Sequence, residues 1–225
     1  MIEILTVCTG NICRSPLAEL MLRARLADFA PTVASAGTHG LPSAPMTSKA
    51  LALAVAAGVR HEDAASHRSR YLTEALLSAP DLVLAMTRDH RRAVVELAPA
   101  RVRSTFTIRE FARLAASLSD DELRTAADEG GTDAESRVGA VVAAVSGQRG
   151  TVEPPTNLAD DDVVDPYGRS WETYQRSAAQ LAPAVDEVVR ALVIALEGAS
   201  AADETEVAVT AAPDSLPLRR DRRRA

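Results

Sequence analysis

Cys8 and Arg14 stand six positions apart in Cys8-Thr9-Gly10-Asn11-Ile12-Cys13-Arg14, a spacing that can bring a sulfur nucleophile and an oxyanion clamp to one tetrahedral anion. In a chain with 24 arginines and one lysine, the bare spacing is weak evidence, and its context decides. A short β-rich run ends at Cys8, Gly10 and Asn11 permit a tight loop, and Ser15-Pro16 opens a helical stretch with Ser15 as the expected N-cap. The free N–H groups and positive dipole end of that helix would point back at the loop, forming an anion cradle that favours a thiolate at neutral pH. The planar fork of Arg14 matches two oxygens of a phosphoryl group. Phosphoryl transfer to sulfur also needs an acid for the leaving group, and Val163-Val164-Asp165-Pro166-Tyr167 supplies Asp165 as the candidate. Pro166 biases Asp165 toward an extended conformation, and Tyr167 is placed to wall a pocket.

The elements that must position these residues follow from hydrophobic patterning. Strands are predicted over residues 3–8, 32–35, 81–86 and 103–107, with helices over 15–29, 44–57, 73–79 and 88–98. This alternation implies an α/β fold, a parallel sheet covered on both faces with ligands at the carboxyl ends of its strands. From residue 109 the pattern changes to helical segments, about 109–118 and 134–146, broken by Gly130-Gly131, Pro154-Pro155 and the run Asp160-Asp161-Asp162. A last helix is expected over 171–196, its apolar positions at helical spacing, with Trp171 and Tyr174 as packing residues. The domain reading is therefore a unit of residues 1–108 and 163–197, an acidic helical insert over 109–162, and a disordered tail over 198–225. The insert is read as a solvated helical addition, with a partial cover over the pocket as its alternative.

The chain has 225 residues and is 47% hydrophobic, enough for one domain with a real core. Its net charge of −6 sits in one place: residues 1–108 carry +3, 109–165 carry −8, 166–197 carry −1, and the tail from 198 is neutral. No apolar run approaches the ~20 residues of a membrane span, so no membrane span is expected. The acidic Glu3 and the break at Cys8 do not fit a secretory signal, which points to the cytoplasm. The two cysteines indicate chemistry rather than disulfide stapling.

VCTGNICRSPLAE, Ser35-Ala36-Gly37-Thr38, Ser66-His67-Arg68-Ser69-Arg70, the DLVLAM strand and Asp165-Pro166-Tyr167 together resemble the low-molecular-weight protein tyrosine phosphatase family, over about residues 2–108 and 163–197. The resemblance implies a four-stranded parallel sheet in a flavodoxin-like three-layer architecture. It implies Cys8 as nucleophile, Arg14 as phosphate binder and Asp165 as general acid and base, with no metal and no other cofactor. It also implies phosphate contacts from Thr9, Gly10, Asn11, Ile12, Cys13, Ser15 and Tyr167, a Ser15 hydrogen bond to the thiolate, and His67 as a brace for the loop. The run Asp165-Pro166-Tyr167-Gly168-Arg169-Ser170-Trp171-Glu172-Thr173-Tyr174 is similar to the bacterial branch, which implies a phosphotyrosine protein as substrate, among them a tyrosine kinase of exopolysaccharide or capsule synthesis.

Alternatives are a protein arginine phosphatase, a thioredoxin-coupled arsenate reductase, and a non-catalytic phosphoprotein-binding module. Arginine phosphatases of this fold carry Thr where the loop has Ile12, and an apolar Ile12 suits an aryl ring better. An arsenate reductase needs further cysteines, and only Cys13 is present. Cys13 is either a redox partner for oxidised Cys8 or a small buried residue supporting the loop. His39, His61, His67 and His90 show no zinc spacing, no Walker P-loop occurs, and the terminal arginines are balanced by nearby acids, so nucleic acid is not an expected partner.

Overall fold

The computed structural model describes residues 1–40 and 42–199. Four parallel strands, β1 (Glu3–Cys8), β2 (Thr32–Gly37), β3 (Leu82–Ala85) and β4 (Thr105–Thr107), form one sheet in the order β2-β1-β3-β4. Glu3 pairs with Thr32 and Cys8 with Gly37 on one side of β1, and Ile4 pairs with Leu82 through to Val7 with Ala85 on the other. β1 is thus central, and the loop after Cys8 leaves from the carboxyl edge, where strand order reverses and a ligand crevice opens.

Alternation along the strands sends side chains to two different layers. Ile4, Leu82, Leu84 and Phe106 face the larger core, shared with α1 (Arg14–Arg25), α2 (Ser48–Ala56), α5 (Ile108–Ala115) and α8 (Trp171–Glu197). Leu5, Val7 and Val83 face a smaller core with Leu77 and with Val94 of α4 (Arg88–Leu97). The three-layer α/β architecture expected from alternation is the one observed.

Two short helices escaped the sequence reading, α3 (His61–Ser66) and α6 (Asp120–Gly130). α3 is a bare six residues, too short to show a period. α6 buries only Leu123 and Ala127, so its apolar stripe is thin, yet Ser119 and Glu122 form a capping box at its start. α7 (Ala134–Gly147) buries Val138, Val141, Val142 and Val145. These side chains join the larger core with α5 and α8, so helices α6 and α7 are packed parts of the molecule and not only a solvated addition. Arg137 on α7 is buried, donates from Nε to Ala195 O at 2.7 Å and pairs with Asp128 at 2.7 Å, tying α7 to the last turn of α8.

The β4 edge of the sheet is buried and covered by cations. Thr105 O on β4 accepts from Arg91 Nε at 3.0 Å and from Arg149 Nη2 at 2.7 Å, and the Arg149 guanidinium lies 4.1 Å from the centroid of the Phe106 ring. Covering an edge with charge blocks pairing with another strand. Among the described residues no helix is long and apolar enough to cross a membrane. The expected tail begins at residue 198, and its residues 200–225 lie outside the described residues.

Candidate active site

The loop between β1 and α1 is held by its own polar side chains. Asn11 takes a positive φ of 53°, which asparagine tolerates, so the left-handed turn falls on Asn11 and not on Gly10. Its backbone N–H donates to Cys8 Sγ at 3.3 Å, and its Nδ2 donates to Ser15 Oγ at 3.0 Å and to Ser35 Oγ at 2.7 Å. Arg70 N donates to Asn11 Oδ1 at 3.0 Å, and His67 Nε2 lies 2.8 Å from Asn11 O. A fully buried Asn11 therefore has both ends of its amide satisfied, and the strained loop is fixed from behind. Gly37 lets β2 approach: a Cβ there would stand 2.6 Å from Thr9 O.

Ser15 does not cap the helix. α1 begins at Arg14 with Cys13 as N-cap and no side-chain cap bond, because the Ser15 hydroxyl is turned under the loop, 3.0 Å from Cys8 Sγ. The helix ends at Arg25 and a 3₁₀ turn carries the chain through Phe29. Cys8 is buried and ends its strand with sulfur above the first turn of α1, where the helix dipole favours negative charge.

Arg14 crosses this turn almost wholly buried, at 4% exposure. Its Nη1 donates to Val163 O at 3.1 Å, and its Nη2 donates to Thr9 Oγ1 at 3.4 Å and pairs with Asp165 Oδ2 at 2.9 Å. Its Nε, also buried, has no hydrogen-bond partner among the described residues. An unpaired donor of this kind costs about 1–3 kcal/mol, which an anion in the adjacent cavity would recover. That cavity, about 310 Å³, is lined by Cys8, Thr9, Gly10, Ile12, Cys13, Arg14, His39, Asp165 and Tyr167. Eight of the ten residues singled out from sequence as catalytic or phosphate-contacting thus line it, while Asn11 and Ser15 lie beneath and His67 braces from behind. No residue of 109–162 lines the cavity, so the segment does not cover it.

Asp165 is half exposed, and its loop is anchored by groups that spacing did not reveal. Val163 N donates to Met86 O at 2.8 Å and Val164 N to Gln180 Oε1 at 2.9 Å. Asp162 accepts from Arg88 N at 2.8 Å and pairs with its guanidinium at 3.1 Å, and Asp161 pairs with Arg113 at 2.8 Å. The acidic run of the sequence is therefore an anchor as well as a charged surface. Tyr167 N donates to Asp165 Oδ1 at 3.2 Å, a local turn that aims the carboxylate back at Arg14.

Three further groups shape the electrostatics. His67 is pushed below its ordinary value, first by burial, and stands 3.9 Å from the Glu19 carboxylate, which also accepts from Ser35 Oγ at 2.5 Å. Burial pushes the Cys13 thiol up, with Sγ 3.4 Å from Thr47 Oγ1 and 3.5 Å from the Tyr174 hydroxyl, so Cys13 is held as a neutral packing group in this state. Tyr174, likewise buried and packed as expected, is pushed up to about 12 by burial, whereas Trp171 remains 39% exposed and is not the packing residue expected. Among the described residues no cluster of three or more His, Cys, Asp or Glu side chains could hold a metal ion.

The family model described as low molecular weight phosphotyrosine protein phosphatase matches residues 3–122. The chain belongs to that family. It is 45% identical over 97 residues to the low molecular weight protein-tyrosine-phosphatase Etp of Escherichia coli K12, a match covering 43% of this chain and 62% of Etp, so less than two thirds of that relative's length is spanned. It is 37% identical over 111 residues to a protein-arginine-phosphatase of Bacillus subtilis, covering 48% of this chain and 71% of that one. Among solved structures, the low molecular weight protein tyrosine phosphatase from T. tengcongensis superposes with a TM-score of 0.57 at 29% identity, covering 84% of this chain and 98% of that one. Family membership accounts for the four-stranded parallel sheet.

Proposed function

We propose that this protein hydrolyses phosphotyrosine in proteins through a phosphocysteine intermediate, with Cys8 as nucleophile, Arg14 as phosphate binder and Asp165 as general acid and then base. The observation that carries the reading is one cavity lined by Cys8, Arg14 and Asp165, with the Nε of that Arg14 buried and without a hydrogen-bond partner among the described residues. The Cys8 thiolate attacks phosphorus in line, and the S–P bond forms as the P–O bond to the phenol breaks. Asp165 gives its proton to the departing phenolate. Water then attacks the phosphocysteine, losing a proton to Asp165, and thiolate and phosphate are released. Ser15 Oγ and the Asn11 N–H, at 3.0 and 3.3 Å from Sγ, meet the sulfur's charge as attacking and leaving group. Arg14 and the N–H groups of loop 9–14 meet the charge on the phosphoryl oxygens.

Ile12 and Tyr167 supply apolar walls for an aryl ring beside the phosphate position, which favours phosphotyrosine over the smaller phosphoserine. The similarity to a protein-arginine-phosphatase is the specific observation behind a second reading, phosphoarginine hydrolysis at the same Cys8. We propose a tyrosine kinase of polysaccharide synthesis as the partner class, the cytoplasm as the compartment, and residues 1–108 with 163–197 as the catalytic unit.

Wild type and Cys8→Ser are to be compared on phosphotyrosine, phosphoserine and phosphoarginine peptides with EDTA present. Cys8-dependent release from phosphotyrosine alone is expected. Release from phosphoarginine instead establishes the second reading, and release that survives Cys8→Ser or vanishes with EDTA contradicts the mechanism.

A further inference from the structure

One turn of chain between β3 and α4 touches both halves of the site. Met86 O accepts from Val163 N at 2.8 Å, and Arg88 N donates to Asp162 Oδ1 at 2.8 Å, so this turn sets the height of the loop bearing Asp165. Four residues after Met86, His90 reaches the other loop: its Nε2 lies 2.8 Å from Thr9 Oγ1. Its Nδ1 lies 2.8 Å from Thr87 Oγ1, the N-cap hydroxyl of α4, which also accepts from His90 N at 3.3 Å. The imidazole is therefore pinned at both nitrogens and is more than nine-tenths buried. Thr9 in turn accepts from Arg14 Nη2 at 3.4 Å, the same nitrogen that pairs with Asp165.

A guanidinium that must present two donors to a phosphoryl group loses its advantage if it can rotate in its plane. Arg14 is restrained at Nη1 by a backbone carbonyl and at Nη2 by Thr9 and Asp165, with the buried Nε unpartnered among the described residues. Asp165 is half exposed and must change partners during the reaction, so Thr9 is the fixed point of the Nη2 end. Thr9 alone is a loop hydroxyl free to rotate. The bond to His90 ties it to the rigid cap of α4.

We propose that His90 is a positioning residue that holds the Arg14 guanidinium through Thr9, and so couples the nucleophile loop to the turn that also carries the acid's loop. It rests on the phosphatase reading of the same site. Burial, and then the charge of Arg14, push His90 down to about 4, so a neutral ring with one donor and one acceptor persists wherever the enzyme is assayed above that value.

Two conservative replacements separate this role from packing. His90→Gln places an amide where Nε2 reaches Thr9, whereas His90→Asn reaches only as far as Thr87. The affinity of the full chain for inorganic phosphate, measured by calorimetry, reads the phosphate clamp independently of turnover. We expect His90→Gln to stay within about twofold of wild type, and His90→Asn and Thr9→Val each to weaken phosphate about tenfold. The double variant His90→Asn with Thr9→Val is expected to be no weaker than either single variant, and KM for an aryl phosphate to rise in step with the loss of phosphate affinity. His90→Gln as weak as His90→Asn, additive losses in the double variant, or unchanged affinity in His90→Asn would overturn the proposal. If wild type turns over aryl phosphate through Cys8 while His90→Asn binds phosphate normally, this inference alone fails. If the phosphate affinities change as expected but no Cys8-dependent turnover exists, the phosphatase reading fails and the positioning role stands.

Discussion

At the residue scale, the site is a small set of polar atoms with almost every bond accounted for, and His90 gives that set a measurable pH signature. Unfolded, its imidazole takes a proton near pH 6.5; folded, only near 4, because burial and Arg14 oppose the charge, against the weaker attraction of Asp165, Asp89 and Asp162. Between those values the unfolded chain binds more protons, so stability falls as pH is lowered from about 6.5 to 4. The contribution lost is about 3 kcal/mol. Urea unfolding of wild type and His90→Gln across this window is expected to show a flatter pH dependence in the variant, and parallel curves would mean that His90 titrates normally. Nothing in the spacing of residues announced His90, because its partner Thr9 lies 81 positions away. The same holds for Ser35, Glu19 and Arg70 behind Asn11. Cys8 and Arg14 stood out for the opposite reason, since a loop of seven residues encodes its own geometry, whereas an Asp-Pro pair is a common turn and Asp165 stood out through the family resemblance.

At the element scale, alternating strands and helices were legible because a parallel sheet buried on both faces leaves continuous apolar runs such as Leu82–Ala85. Boundaries shifted where local signals competed with the site. Ser15 reads as an N-cap, yet its hydroxyl is drawn to Cys8 and Asn11, so the N-cap falls two residues earlier, at Cys13, without a side-chain cap. The acidic segment was the least legible, since charge density hid the few apolar side chains that matter. Leu123 on α6 is fully buried against the shared core. Leu123→Ala is expected to cost about 2–5 kcal/mol in chemical unfolding while KM for an aryl phosphate stays at its wild-type value, because no residue of that helix lines the cavity. A large change in KM with little loss of stability would instead place α6 in the substrate's path.

At the scale of the whole molecule, the carboxyl edge of one sheet gathers the loop after β1 with Cys8 and Arg14, the start of α4 with His90, and the loop bearing Asp165 just before α8. The far ends of the strands and the cationic cover on β4 serve stability. This arrangement holds Asp165, beyond the residues 3–122 that the family model matches, against Arg14. It places the whole weight of the functional reading on one covalent bond between Cys8 and phosphorus. Asp165→Asn should slow turnover of a phosphotyrosine peptide by roughly 10² to 10⁴-fold. With an aryl phosphate whose leaving group needs no proton, the same variant should form phosphocysteine quickly and hydrolyse it slowly. Rapid acid quench followed by peptide mass spectrometry is the direct test: a burst of phenol with one phosphoryl group on the peptide carrying Cys8 is expected. Turnover without a burst, or a phosphoryl group found on any other residue, would contradict the account.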